Sequence, residues 1–224
     1  MVRLIVSMLI RILRVSDQLP YYEKNKKRFP RVTHILKIIR NPDFESFKEA
    51  VSKDRYNNTM DHARDRGITF HKLVEKYAEK KITPAFLRGL EAGQPELYKP
   101  FVTFISWADA HLLKFLAIEE TVYHDKQGYA GTPDFIAMIK GKKNPCLFDC
   151  KFTAKLSPMA ALQTAAYVEA ANIDRKLKIN SREILRMDKH GKLRRHPQKN
   201  QSLDYARFLY CLDLYKYVGG EKLK

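Results

Sequence analysis

The spacing of apolar side chains changes along the chain, and the change predicts helices first and a sheet afterwards. Over residues 60–80 apolar side chains recur at helical intervals, which predicts a long amphipathic helix. A second helical stretch is predicted at about 95–116, with Trp107 inside it. From Glu119 to Thr153, β-branched and aromatic runs separated by "KQG" and "KGKKN" predict three antiparallel strands. The apolar positions of the first helix are Ile68, Leu73, Val74 and Tyr77.

The rest of the chain adds shorter helices and one hairpin. Ser157 is a suitable N-cap and Pro158 suits the first helical position, so an alanine-rich helix is predicted directly after the strands. A basic hairpin from "SREILRM", "DKHG" and "KLRRH" and a helix over 202–217 follow it. Upstream, short helices are predicted from Thr33 and from Thr83-Pro84. Helices before, across and after the sheet predict a layered α/β domain.

Charge is the compositional feature that narrows the function. The 224 residues suit one domain with its own core. They carry 42 Lys and Arg against 25 Asp and Glu, a formal net charge of +17. Such a field favours polyanionic partners, of which nucleic acid is the commonest. A basic, well-solvated surface or an anionic membrane partner is the alternative.

Cysteine usage and the first residues bear on the compartment. Cys146, Cys150 and Cys211 are an odd, scattered set that fits neither a disulfide framework nor a metal knuckle, so buried thiols in a reducing cytoplasm are expected. No apolar run is long enough to span a bilayer. The first residues, "MVRLIVSMLIRILRVS", contain arginines and no acid. A first strand or docking helix is the favoured interpretation, and a mitochondrial targeting segment is the alternative.

Asp149 and Lys151 raise the chemical question, because they lie on a predicted half-buried strand where charges are costly. Residues two apart on a strand share a face, so both side chains point the same way. The preceding strand follows "GTPD" and delivers Asp134 to the same sheet. If the strands are neighbours, Asp134 and Asp149 converge, and two carboxylates at one point need a cation between them. Mg²⁺ or Mn²⁺, which prefer oxygen ligands, meet that need.

A metal at this point would polarise a phosphodiester and lower the pKa of a bound water. Lys151 would then orient or deprotonate that water, or stabilise the negative charge that develops on the phosphorane. The alternative is a surface cross-strand pair with a structural Asp–Lys contact, which contributes little to stability. A lone Asp-x-Lys dipeptide does not separate these interpretations.

The order of several motifs resembles a known family. "GTPD", followed fifteen residues after Asp134 by "DCK", is similar to the core of PD-(D/E)xK nucleases. The "QTAAY" of the next helix is similar to the QxxxY motif of the RecB-like branch, and "RGITFH" to its helical histidine. "RFPRVTHIL" resembles the entry segment "YPSVTTIL" of phage and mitochondrial single-strand DNA exonucleases, although Arg31 replaces the usual serine. The resemblance covers roughly residues 28–170.

The resemblance implies a restriction-endonuclease-like core, with a central mixed β-sheet flanked by helices and an N-terminal helical extension. It implies one nuclease domain over 1–224, with a mainly helical DNA-binding part over 1–116 and a catalytic core over 117–224. The implied metal ligands are His71, Asp134, Asp149, the backbone carbonyl of Cys150, and Glu120, for which Glu119 competes. The implied catalytic residues are Lys151, Asp134, Asp149, Gln163 and Tyr167.

Nucleic-acid contacts are expected from the helical part and from the basic, aromatic stretch "YYEKNKKRFPR", interpreted as a loop that touches phosphates or as a solvated connector. Its aromatic side chains Tyr21, Tyr22 and Phe29 are candidates for base stacking. The four-cysteine iron–sulfur cluster of the CRISPR-adaptation and helicase-linked relatives is not expected, since three scattered cysteines cannot supply it. The predicted contact residues are Arg64, Arg66, Tyr22, Lys26, Lys27, Arg28, Arg31 and Thr33.

The sequence therefore predicts an Mg²⁺- or Mn²⁺-dependent DNA exonuclease that acts on single-stranded ends, in replication, repair or recombination in a bacterial or phage-infected cell. Two alternatives stay open. One is a structure-specific or restriction-type endonuclease. The other is a non-catalytic nucleic-acid-binding accessory protein, in which His71 with Glu75 is a helix-surface pair and Gln163 with Tyr167 is packing.

Overall fold

A five-stranded mixed sheet lies at the centre of the structure, a computed structural model that describes residues 20–39, 46, 49–153, 155–188 and 190–218. The strands are β1 Tyr21–Lys24, β2 Lys27–Pro30, β3 Leu112–Ile118, β4 Val122–His124, β5 Tyr129–Gly131, β6 Phe135–Ile139, β7 Cys146–Phe152, β8 Ser181–Met187 and β9 Leu193–Pro197. The helices are α1 Val32–Ile35, α2 Lys53–Ala78, α3 Pro84–Gly93, α4 Pro95–His111, α5 Met159–Asp174 and α6 Gln201–Tyr217, with a 3₁₀ turn at Leu36–Ile38.

The central sheet has the strand order β3-β6-β7-β8-β9. The pairs β3/β6, β6/β7 and β8/β9 are antiparallel, and β7/β8 is parallel. The parallel pair needs a crossover, which α5 provides because it lies between β7 and β8 in the chain. The chain is thus mixed α/β, as the sequence predicts.

Alternate side chains of β7 enter two hydrophobic cores, one on each face of the sheet. Leu147 packs with α5 and α6, whereas Phe148 and Cys150 pack with α2, α3 and α4. Asp149 and Lys151 share the face of Leu147. Phe148 and Cys150 fill the opposite core as the sequence predicts. The carboxyl end of β7 therefore presents its two charged residues between helical layers.

Two predicted element boundaries are wrong. The helix predicted to run to about residue 116 ends at His111, and Leu112–Ile118 is strand β3. The stretch "YAGTPDFIAMI" is not one strand, because β5 pairs with β4 in a separate two-stranded sheet while β6 belongs to the central sheet. Pro133, which has no N–H to donate to a ladder, lies in the break.

Other predictions are confirmed with small shifts. Thr83 caps α3 with Pro84 at its start. The basic hairpin is β8 with β9, and the last helix is α6. The long helix α2 begins at Lys53, earlier than predicted, where the Ser52 side chain accepts a hydrogen bond from the Arg55 N–H.

The basic stretch near the N-terminus is a β-hairpin, not a loop. Strands β1 and β2 pair through a tight turn at Asn25 and Lys26, whose φ angles are 52° and 62°. Phe29 is buried against Tyr123, so it is not available for base stacking. The segment 1–16 lies outside the described residues. Within the described residues, no helix combines the length and the apolar character that a bilayer span requires.

Candidate metal and phosphoryl-transfer site

Asp134 lies immediately before β6 and is tied to the neighbouring strand. Its carboxylate Oδ2 accepts a hydrogen bond from the backbone N–H of Cys150 on β7. The Asp134 side chain is only 9% exposed. The juxtaposition expected from the sequence, Asp134 beside the Asp149–Lys151 strand, is present in the structure. The backbone of Cys150 lies at this junction, and a carbonyl role for it in metal binding stays a prediction.

His71 reaches the same point from helix α2. Its Nδ1 lies 2.9 Å from Glu119 Oε1 and 3.5 Å from Asp134 Oδ1. The adjacent Phe70 packs in the core against Phe101 and Phe104, which fixes the rotation of the helix. His71 therefore pairs across elements with Glu119 and Asp134, and its partner is not Glu75 on its own helix.

Glu119 is the acid of this cluster, and the prediction of Glu120 is wrong in position. Glu119 follows β3 with a φ of 49°, a left-handed conformation that is uncommon outside glycine. Its N–H donates to the backbone carbonyl of Asp134 at 2.9 Å. Glu120 turns away and pairs with Arg175 at 2.6 Å. Strained backbone that holds a charged side chain in a cluster is a frequent feature of functional sites.

His71, Glu119 and Asp134 have the donor set of a divalent metal site. One potential ligand atom from each lies within 4.8 Å of the others. Imidazole and carboxylate donors together suit Mn²⁺, and the carboxylates suit Mg²⁺. Asp149 lies next to this set: its Oδ2 is buried beside the Lys151 ammonium and accepts no well-aligned hydrogen bond within the described structure. These residues fit a metal, whose ligands on the chain would be His71, Glu119 and Asp134, with Asp149 adjacent.

A second cluster surrounds the Asp149 carboxylate on the α5 side of the sheet. Lys151 Nζ lies 3.1 Å from Asp149 Oδ1 and 2.9 Å from Oδ2. The amide Nε2 of Gln163 donates to Asp149 Oδ1 at 3.3 Å and to the Tyr167 hydroxyl at 3.0 Å, and Gln163 Oε1 accepts from Lys151 at 3.4 Å. Gln163 and Tyr167 are thus joined to Lys151 as the resemblance implies, in one hydrogen-bonded chain.

The electrostatics of the two clusters follow from burial. Desolvation raises the pKa of Asp134, against the opposing charge of His71. Desolvation also raises the pKa of Asp149, to about 6, against the opposing charge of Lys151. For Lys151, burial lowers the pKa, but the charges of Asp149 and Asp134 raise it by more, so the pKa lies above its usual value. Lys151 is therefore a cation at neutral pH, suited to stabilising negative charge rather than to accepting a proton.

Tyr167 is positioned by a glycine on β5. A Cβ atom at Gly131 would lie 2.1 Å from Tyr167 Cε1 and 2.6 Å from Cδ1. Only glycine allows the ring of Tyr167 to lie this close to the strand. The first residue of "GTPD" thus has a steric role beside the site, three positions before Asp134.

Two predicted contact residues reach the rim of the site. The Tyr22 hydroxyl lies 2.9 Å from the side-chain oxygen of Thr132 and accepts a hydrogen bond from Arg31 at 2.9 Å. The guanidinium of Arg31 also lies over the Tyr22 ring. Tyr22 and Arg31 therefore lie next to the segment that carries Asp134, and their role in binding nucleic acid stays a prediction.

The other predicted contact residues are spread over the surface. Lys27 donates to the backbone carbonyl of Asp125, and Arg28 lies over Tyr21. Arg64 is exposed and pairs with Asp61 at 3.2 Å. Lys26 and Thr33 are exposed, and Arg66 lies over Phe152 beyond the end of β7. The structure does not bring these residues together into a single groove.

Comparisons with known proteins leave the family open. No protein-family model matches the chain, and no curated protein matches it. Among solved structures, the crystal structure of the archaeal protein SSO0001 is similar, with a TM-score of 0.44 and 10% identity over 96% of this chain and 86% of that chain. A likeness at this level carries no argument about activity.

Proposed function

We propose that the chain is a metal-dependent deoxyribonuclease of the PD-(D/E)xK type, acting as an exonuclease on single-stranded ends. The observation that carries the proposal is the meeting of Asp134 with the Asp149–Lys151 strand. The histidine of α2 lies on one side of that meeting point and the Gln163–Tyr167 pair of α5 on the other. The net charge of +17 supports a polyanionic substrate.

The proposed chemistry is hydrolysis of a phosphodiester. An Mg²⁺ or Mn²⁺ ion held by His71, Glu119 and Asp134 would polarise the phosphate and acidify a water. Oxygen of water attacks phosphorus, the bond from phosphorus to the leaving oxygen breaks, and that oxygen gains a proton. Lys151 would stabilise the negative charge on the phosphate oxygens, and Gln163 would hold the lysine in place.

Substitution of the central pair tests this function. We expect Asp149→Ala and Lys151→Ala each to lower the cleavage rate of end-labelled single-stranded DNA by about 10²-fold or more, because each removes charge at the reacting phosphate. The measurement compares both variants with wild type in Mg²⁺ and in Mn²⁺. Lys143→Ala is the matched control, because Lys143 is an exposed lysine in the turn at the other end of β7.

Cleavage that survives both substitutions would contradict the assignment of this site. Wild type that cleaves neither DNA nor RNA on any end structure would favour a non-catalytic binding protein. A circular single strand in the same assay separates exonuclease from endonuclease, since an enzyme that requires an end leaves the circle intact.

A further inference from the structure

A basic cleft lies just beyond the carboxyl end of β7, past Lys151. Its volume is about 440 Å³, and its lining includes residues at the ends of β7 and β8 and just after them. We call it the arginine cleft. It is lined by Arg66, Phe152, Thr153, Arg186, Asp188, His190 and Arg194.

Three elements that are distant in the sequence bring the arginines together. Arg66 comes from α2, the helix that also carries His71. Arg186 on β8 is the register partner of Lys151 on β7, and Arg194 on β9 is the register partner of Arg186. Paired residues on neighbouring strands lie about 5 Å apart and share a face. The cleft therefore begins one strand away from the lysine of the candidate site.

The lining of the cleft contains more arginines than acids. These are three arginines and the single acid Asp188. Asp188 Oδ1 accepts hydrogen bonds from the N–H groups of His190 and Lys192 at 2.9 and 3.0 Å, so this oxygen shapes the β8–β9 turn. In the described part of the chain, no carboxylate oxygen lies within 4.0 Å of a nitrogen of Arg66 or Arg194. Arg66 and Arg194 therefore bring positive charge without a paired carboxylate, which is typical of anion-binding surfaces.

Arg66 is held in place but keeps hydrogen-bonding capacity. Its guanidinium carbon lies 5.5 Å from the centre of the Phe152 ring, a cation–π distance. Its Nε atom is buried and has no hydrogen-bond partner among the described residues. A buried donor without a partner is costly, which is a sign that this guanidinium is held for a purpose other than local packing. The planar guanidinium matches a phosphate group in particular.

We propose that the arginine cleft binds a phosphate group of the nucleic-acid strand, next to the phosphate that occupies the Asp134–Lys151 site. This inference rests on the proposed function for the identity of the strand, whereas the preference for phosphate rests on the cleft itself. A phosphate fixed here holds the strand in register with Lys151. Two sources have the required chemistry: a phosphate at the end of the strand, or one within its backbone.

The test measures binding without cleavage. The Arg66→Gln/Arg194→Gln variant is compared with wild type by fluorescence anisotropy, using internally labelled single-stranded oligonucleotides in the presence of a chelator. We expect affinity to fall about tenfold, because charge-assisted hydrogen bonds to phosphate are removed. The salt dependence of log Kd is expected to become shallower by about 0.7 for each phosphate that the variant no longer neutralises.

The matched control is Lys142→Gln/Lys143→Gln, which removes the same charge from exposed positions at the opposite end of β7. Arg194→Gln alone, at an exposed position, guards against misfolding of the double variant, and thermal melting confirms the fold of all three. A loss of affinity no larger than that of the lysine control would overturn the proposal.

Three oligonucleotides distinguish the two sources: one with a 5′-phosphate, one with a 3′-phosphate and one with neither. If the cleft binds a terminal phosphate, the arginine substitutions weaken only the oligonucleotide that carries it. If it binds a backbone phosphate, all three weaken equally, and both outcomes support the site. The binding assay contains no active metal, so it tests the cleft separately from catalysis. If the cleft proposal fails, cleavage by wild type is unaffected. Failure of the nuclease proposal would likewise leave the phosphate binding measurable.

Discussion

At the scale of single residues, two adjacent acids show what decides membership of the site. Glu119 and Glu120 have the same side chain, and nothing in the sequence separates them. The left-handed φ of 49° at Glu119 turns its side chain toward His71, while the next residue faces Arg175. The choice depends on where β3 ends, and that end is set by pairing with β6. By contrast, the position of Asp134 beside the strand of Asp149 and Lys151 could be predicted, because strand periodicity and the order of the motifs indicate it.

The two acids provide a matched pair of substitutions. We expect Glu119→Gln to weaken Mn²⁺ binding by about 10- to 100-fold, because the substitution removes a carboxylate that contacts both His71 and the proposed ion. Glu120→Gln removes the same charge one residue away and should leave the affinity unchanged. Isothermal titration of the two variants with Mn²⁺ makes the comparison. Equal losses for both would remove Glu119 from the proposed ligand set.

At the scale of elements, the errors of prediction come from short apolar runs. "LLKFLAI" continues the apolar character of α4 and is compatible with either helix or strand, and pairing with β6 makes it a strand. Whether β5 and β6 form one strand or two depends on which strand each of them pairs with, and that pairing is decided by tertiary contacts. Elements with local signals were predictable, such as α3 with its Thr83-Pro84 start and the long amphipathic α2.

The contact between β5 and α5 makes a prediction about Gly131. Alanine there would place its Cβ 2.1 Å from Tyr167 Cε1, so the ring must move and its hydrogen bond with Gln163 would be disturbed. We expect Gly131→Ala to lower the free energy of unfolding by about 1–3 kcal/mol through overpacking. Gly89→Ala is the control: it lies in α3 with nothing within 4 Å of its Cβ and should stabilise by up to about 1 kcal/mol. Denaturant unfolding measures both, and a neutral Gly131→Ala would contradict the steric role.

At the scale of the whole molecule, the candidate site forms where three separate layers meet beside the inner strands β6 and β7. The α2 layer supplies His71, the sheet supplies Asp134, Asp149 and Lys151, and the α5 layer supplies Gln163. The sequence predicts which residues belong to each layer but not how the layers sit on one another. The arginine cleft is an example, because Arg66, Arg186 and Arg194 come from segments whose proximity no local pattern reveals.

The stability of the metal-free protein should depend on pH, because the candidate site contains a histidine that titrates. Burial alone would lower the pKa of His71, but the charge of Asp134 and the hydrogen bond and charge of Glu119 raise it from 6.5 to about 9. A pKa raised in the folded state means that the protonated histidine stabilises the fold below pH 6.5, and that this contribution is lost as the pH rises toward about 9.

The melting temperature of the metal-free protein should therefore fall between pH 6.5 and about 9, relative to that of the His71→Gln variant. Contributions of titrating groups that do not interact with His71 cancel in the difference, whereas those of Asp134 and Asp149, which interact with its charge, are part of the difference. Mn²⁺ replaces the proton as the counter-charge, so the melting-temperature increase that it gives wild type should grow over the same window. A difference between wild type and His71→Gln that does not change with pH would show that His71 is not the proton acceptor of this cluster.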